Sequence, residues 1–428
     1  MRVIKFSGMI LFVFMFDISA FSQKEMSGDI NLERLIEAAL SSNPGIKDGS
    51  VRKEISKKEI NLSKSALFPS VSTDASYSFT NQNSIGNDYG SVSTGANLNQ
   101  TLWQNGKNRA LIKQSEFLHK AAQSEFEAQK QDLILKVKFS YFNLLRYKEL
   151  SKISENNVAQ AELFLEAAKE KNRLGIGKYS DILKAKSELA DARYFLKDNN
   201  YSLRDAENEL ERFTGLEISA DSLESYSFQR KTLGYEAWDS NNLLKTAINN
   251  YPELKSLENI ESSQEFYIKA VKSDMYPNVS ANAGYNWYYN PAFKSQDVWN
   301  AGITIRWNIF NGKSKENQVK IAQLRKQSYQ YQKADLLVEL KKEIANQLNA
   351  LNETQDQIRI SKILKKSTAE NLKMLKEEYR QGISSMLELT NARTDDFNAK
   401  AKYINAITGY ELAKAQLERI IGVLNTKN

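Results

Sequence analysis

The side chains that could do chemistry in this chain are few. Of 428 residues one is histidine and none is cysteine, so disulfides, thiol nucleophiles, thiolate metal sites and an acylated cysteine are excluded. His119 lies in a polar helical stretch and reads as a plain surface residue rather than a metal ligand or a general base. We find no nucleotide-binding glycine loop, metal-ligand cluster or nucleophile motif; neither an enzyme nor a cofactor or metal site is expected. What remains is a set of acids and phenols placed close to glycines. Tyr379 lies one turn before Gly382, and Asp181 lies six residues after Gly175. A tyrosine hydroxyl and a carboxylate at matching depth can form a charge-assisted hydrogen bond. In the plainer reading Tyr379 packs in a coiled coil and Asp181 favours its helix N-terminus through the dipole. Ser385-Met386-Leu387-Glu388 has the spacing of a capping box, a structural use for the Glu388 carboxylate.

These residues sit in a chain written twice. Phe68-Pro69-Ser70-Val71 followed by Tyr77 returns 208 positions later as Tyr276-Pro277-Asn278-Val279 followed by Tyr285. Leu210-Glu211-Arg212-Phe213-Thr214-Gly215 returns 207 positions later as Leu417-Glu418-Arg419-Ile420-Ile421-Gly422. One unit of about 200 residues has therefore been duplicated. Four of the five prolines pair in the same register: Pro44 with Pro252, opening helical patterns, and Pro69 with Pro277, closing them. Pro291 stands alone in a polar loop. The organisation read from this is a signal peptide at 1–22, a first repeat at 23–216, an inter-repeat segment at 217–240, a second repeat at 241–424 and a tail at 425–428.

The signal peptide is read from Arg2 and Lys5, the apolar run Met9 to Phe16, and the small residues of Ala20-Phe21-Ser22. No later stretch is long and apolar enough for a transmembrane helix, so any membrane segment must be β. Four runs of about ten residues alternate as tilted spanning strands do. Val71, Ala75, Tyr77 and Phe79 oppose Ser72, Asp74, Ser76 and Ser78; Val92, Ala96, Leu98 and Leu102 oppose Ser91, Ser93, Asn97 and Asn99. In the second repeat Val279, Ala281, Ala283, Tyr285 and Trp287 form one apolar face, and Trp299, Ala301, Ile303, Ile305, Trp307 and Ile309 another. A half-buried sheet of a soluble sandwich is the alternative. Four strands cannot close a barrel, since the smallest have about eight, so spanning strands require several chains per barrel. From about Lys107 to Asn172 and Lys313 to Arg380 there is neither proline nor glycine, and apolar residues recur at helical spacing. Helices of roughly 100 Å need coiled-coil partners, and the returning stretches Ser180 to Phe213 and Met386 to Ile421 supply some. The net charge of +7 is spread through mixed Lys/Glu helices and reads as solvated surface, with no nucleic-acid partner.

In this order and spacing the motifs resemble the TolC-type outer membrane efflux proteins over essentially the whole mature chain. The likeness rests on the Phe68-Pro69 and Tyr276-Pro277 strand entries, the Asn105-Gly106-Lys107 and Asn311-Gly312-Lys313 exits into long helices, the Leu174-Gly175-Ile176 and Gln381-Gly382-Ile383 turns, and the two Leu-Glu-Arg-x-x-Gly ends. The resemblance implies a mainly α chain with a β-barrel part: a homotrimer giving four strands per chain to a twelve-stranded barrel and its helices to a periplasmic tunnel. It implies an outer membrane location in contact with lipid, a periplasmic adaptor protein, and an inner-membrane pump whose substrates the duct passes without catalysis. The adaptor would meet the tip at Leu174, Gly175, Ile176, Gln381, Gly382 and Ile383. A gate above it would use Asp181 and Tyr379 as a latch and, at the family's acidic positions, Glu388 and Asn391. The inter-repeat segment would belt the tunnel. Members anchored by a lipidated cysteine exist, and this chain departs from them. Within the same fold, the exit duct of a type I protein secretion system is the alternative; in another class, a non-conducting coiled-coil scaffold of the envelope.

Overall fold

The structure, a computed structural model, describes residues 31–82, 87–223, 239–290 and 294–424. The expected signal peptide, most of the inter-repeat segment, Pro291 and the tail 425–428 lie outside the described residues. In chain order the elements are α1 (Leu32–Ser42), α2 (Pro44–Ser65), β1 (Ser70–Gln82), β2 (Asn87–Trp103), α3 (Lys107–Arg173) and α4 (Tyr179–Thr214). A short 3-10 turn at Ala220–Ser222 follows. Then come α5 (Ser240–Asn250), α6 (Pro252–Ser273), β3 (Asn278–Asn290), β4 (Lys294–Arg306), α7 (Ser314–Gln381) and α8 (Met386–Ile420), which repeat the first six.

Local chemistry sets the ends. Pro44 and Pro252 occupy the first turns of α2 and α6, where a missing amide costs nothing. Asn43 caps α2 by accepting from the Gly45 amide. The 67 residues of α3 and 68 of α7 reach about 100 Å each. Such helices have no globular core to lean on, and each instead buries a narrow stripe against its returning partner. Val137 and Leu144 of α3 pack with Leu35, Ile36 and Leu210; Ile344 and Leu351 of α7 pack with Leu243 and Leu417. At the far end Phe164, Leu165, Leu189, Leu372, Tyr379, Met386 and Leu389 join both hairpins in one cluster. The two hairpins also meet along α3, which carries α6 and α8 as well as α2 and α4. His119 is not a plain surface residue: its Nδ1 lies 2.8 Å from Ser56 Oγ and its Nε2 3.1 Å from the Gln123 amide, tying α2 to α3.

The four strands form one antiparallel sheet in the order β1-β2-β3-β4. Its register lines up the apolar faces expected from the alternation: Val71, Leu98, Ala283 and Ala301 stand in one row, and Thr73, Ala96, Tyr285 and Trp299 in the next. The other face is laced by polar bonds, Asn97 donating to Asp74 at 2.9 Å and Thr304 to Asn282 at 3.1 Å. Two expectations need correction. A bulge between Thr101 and Trp103 puts Trp103, not Leu102, opposite Val279, because one extra residue flips the alternation beyond it. And β4 ends at Arg306, so Trp307 and Ile309 lie past the ladder in the segment leading to α7. Within the chain β1 and β4 each pair on one side only. Among the described residues no helix is long and apolar enough to cross a membrane.

Candidate functional site

The two helical hairpins turn at the end farthest in sequence from the sheet, and the turns share one backbone. Gly175 and Gly382 take φ of +73° and +81°, the left-handed region open to glycine at no steric cost. Gly175 and Ile176 donate to the carbonyls of Asn172 and Lys171, both at 3.0 Å. Gly382 and Ile383 donate to those of Tyr379 and Glu378 at 3.2 and 2.9 Å. These bonds satisfy carbonyls that a helix end would otherwise leave open. Leu174, Ile176 and Ile383 are exposed, as are Gln381 and both turn glycines. The six residues expected at the tip are thus a solvent-facing, largely apolar edge.

Side chains differentiate the turns. In the first, Asn172 folds back to donate to the Gly177 carbonyl at 3.0 Å, and Lys178, which precedes α4, gives it no side-chain cap. In the second, Ser385 accepts from the Glu388 amide and Glu388 from the Ser385 amide at 2.7 Å, a complete capping box. Those bonds, from backbone and hydroxyl of Ser385, hold the exposed Glu388 carboxyl below its ordinary value. Asn391 lies exposed one turn further along α8.

Tyr379 is buried, and the Lys171 ammonium sits 3.8 Å from the centre of its ring. The same ammonium donates to the Tyr379 carbonyl, placing a cation from the first hairpin at the C-terminal end of α7, where the helix dipole favours one. Burial, and then the charge of Asp181, raise the Tyr379 hydroxyl above its usual range. Asp181 is therefore near, but among the described residues no hydrogen bond joins the two. The close partner is Lys171, which sequence reading did not single out.

Above the tip the seam between hairpins is charged. Arg393 of α8, almost wholly buried, donates to Glu188 of α4 at 2.7 Å and to Asn157 of α3. Lys184 also binds Glu188 at 2.7 Å, and Lys400 binds the buried Asp396 at 2.6 Å. Burial pushes the Glu188 carboxyl up, but Lys184 and Arg393 outweigh it and leave it below the ordinary carboxylate range. Burial lowers the Lys376 ammonium, which reaches Gln160 of α3 at 3.2 Å. A cleft of about 230 Å³ opens beside this seam, lined by Asn157, Gln160, Arg393, Asp396 and Lys400 among others. Sequence reading missed Arg393, Glu188 and Asp396. Their one local signal is that charge interrupts an apolar helical stripe, as between Leu389 and Ala399. Among the described residues no His, Cys, Asp or Glu group could hold a metal ion. These charged contacts join the two hairpins across the seam.

Residues 35–216 and 243–423 both match the family model of outer membrane efflux proteins. Outer membrane protein TolC of Escherichia coli K12 is 21% identical over 431 residues, 96% of this chain and 85% of that protein. TolC of Vibrio cholerae is 27% identical over 175 residues, 40% of each chain. The toluene efflux pump outer membrane protein TtgC of Pseudomonas putida is 19% identical over 424 residues, 95% of this chain and 86% of TtgC. Among solved structures, CusC superposes with a TM-score of 0.81 at 18% identity over 94% of this chain and 96% of CusC. The Campylobacter jejuni CmeC outer membrane channel gives 0.79 at 19% identity over 94% and 90%.

Proposed function

The chain belongs to the outer membrane efflux protein family, and from that premise we propose that it is the outer membrane channel of a tripartite efflux system, a passive duct rather than an enzyme. The observation that carries the reading is the four-stranded sheet whose outer strands pair on one side only, continuous with two helical hairpins of about 100 Å. In lipid, unpaired strand edges cost several kcal/mol per open group, so three copies closing a twelve-stranded barrel account for a sheet that one chain leaves open. The helices then extend from the barrel into the periplasm as a tunnel wall.

The exposed edge of Leu174, Gly175, Ile176, Gln381, Gly382 and Ile383 is proposed as the surface that meets a periplasmic adaptor, and through it an inner-membrane pump. The constriction is proposed just above, at Tyr379, Asp181, Glu388 and Asn391, with Lys171 added to them. Lys171 supports the closed state because it ties the first hairpin to the end of the second. The domain reading of two repeats, 23–216 and 241–424, with a linking segment at 217–240, is part of this proposal. The test is the mass of the purified protein in mild detergent by light scattering. A trimer is expected, and a monomer overturns the reading.

A further inference from the structure

Inside the chain, the second repeat docks on the first through Arg419. This side chain of α8, buried to 6% exposure, donates from Nε to Asp132 of α3 at 2.8 Å and also pairs with Glu253 of α6. The duplication puts an equivalent of each group elsewhere in the same chain. Val137 and Ile344, Leu144 and Leu351, and Leu210 and Leu417 are all buried and all 207 positions apart. In that register Arg419 corresponds to Arg212 and Asp132 to Glu339. Neither has the internal role. The Arg212 side chain is 62% exposed and, among the described residues, its contacts are local: the ion pair with Glu209, one turn back on α4, and the adjacent Phe213 ring. Glu339 is exposed and makes no hydrogen bond or ion pair among the described residues.

The surroundings follow the same rule. Where α3 is covered by α6 and α8, no helix of the first repeat, among the described residues, packs closely along the matching length of α7. Apolar side chains stand bare there: Leu324, equivalent to the Phe117 that stacks on Phe266 of α6, and Val338, equivalent to the Gln131 that donates to Gly422. On α2, Ile55 and Leu62 are exposed, although their α6 equivalents Ser263 and Ala270 are buried. A row of bare apolar groups with an unpaired acid on α7, and its apolar and basic complement on α2 and α4, are two halves of one interface. A chain cannot bring its own halves together, because the internal seam already uses α3 between them.

Resting on the trimer reading, we infer that a second copy of the chain supplies the missing half: Arg212 of one subunit binds Glu339 of the partner subunit, as Arg419 binds Asp132 within the chain. The joint is lighter than its internal counterpart, because the place of Glu253 is taken in the first repeat by Gly45, 208 positions earlier in the register of the paired prolines. One acid replaces two.

The absence of native cysteine makes the test direct. With Arg212→Cys and Glu339→Cys together in the full chain, a short bismaleimide applied to the membrane-assembled protein is expected to yield covalent trimers on a denaturing gel, and either cysteine alone none. Asp132→Cys with Arg419→Cys measures reach, since it should link within one chain without raising the mass. Arg212→Glu and Glu339→Arg should each make the trimer easier to dissociate by heat in detergent. Their combination should restore it, with a coupling of roughly tenfold in the dissociation constant. A trimer by light scattering that neither cross-links through these positions nor shows coupling overturns this contact while leaving the channel reading intact. A monomer overturns the trimer reading, and this contact with it.

Discussion

At the tip of the first hairpin Asn172 folds back on its own turn and α4 begins uncapped, whereas at the second tip the equivalent position is Tyr379, which packs in the cluster joining both hairpins and is held by Lys171 of the other. The second hairpin then restarts from a capping box. The backbones of the two turns match bond for bond, so the glycine and the carbonyls before it fix the shape of a tip. Side chains alone decide whether the tip is closed on itself or tied across the seam. The duplication thus produced one scaffold with a self-contained end and a coupled end, and the coupled end is where we propose that a gate is held shut.

The strongest way to break this comparison is to remove the seam that serves both hairpins. Arg393→Met leaves the partly buried Glu188 with Lys184 as its remaining partner and Asn157 without its donor, and losing one partner of a largely buried ion pair costs about 3 kcal/mol. Amide exchange near the tip should accelerate about a hundredfold in both hairpins, while exchange in the sheet stays unchanged. Unchanged exchange at the tip would show that the seam does not bind them.

If glycine alone sets the turns, Gly175→Leu and Gly382→Leu should cost the same, about 1–2 kcal/mol for a left-handed non-glycine residue. Space around each Cβ is open, so no clash adds to either. Limited proteolysis of the tip reads this, with trimer mass unchanged. Unequal losses would mean that the two backbones are not equivalent.

A smaller effect separates the helix starts. Ser385→Ala should destabilise the second tip by about 1 kcal/mol, while Lys178→Ala does nothing measurable at the first. Lys178→Ser, three residues before Asp181, should install a cap and stabilise the first tip by up to about 1 kcal/mol. Urea-dependent tip proteolysis checks the three variants together.

The smallest contrast is in acid. The Glu388 carboxyl is held below its usual value of 4.5, so its contribution is present above that value and is lost as pH falls through the lowered one. Tip proteolysis should rise at the second hairpin below about pH 4.5, and the rise should be absent from Glu388→Gln, which keeps an acceptor for the Ser385 amide but has no carboxylate to protonate. Glu188 follows the same sign, because its carboxyl is also lowered.

Much of this was legible in the sequence because punctuation is local. Gly175, Gly382, Pro44 and Pro252 act through their own backbones, and helices end at the glycines and begin at the prolines. The alternation gave the sheet faces but not the bulge at Leu102, since one extra residue leaves composition unchanged and shifts only the partner strand. Tyr379 and Asp181 were placed at one depth from rise per residue, and the charge of Asp181 does reach the hydroxyl. Depth does not fix rotation about the helix axis, however, and rotation gave the ring to Lys171. Arg393 and Glu188 stayed hidden because they meet across 205 positions, and no local spacing signals a pair at that range.

The central claim, that this chain forms a duct, is tested most directly by single-channel recording of the purified protein in planar bilayers. The account predicts discrete openings of low conductance for the natural sequence, rising when Lys171→Met frees the end of α7 from the first hairpin. Trimers that insert and never conduct, with or without that substitution, would contradict it.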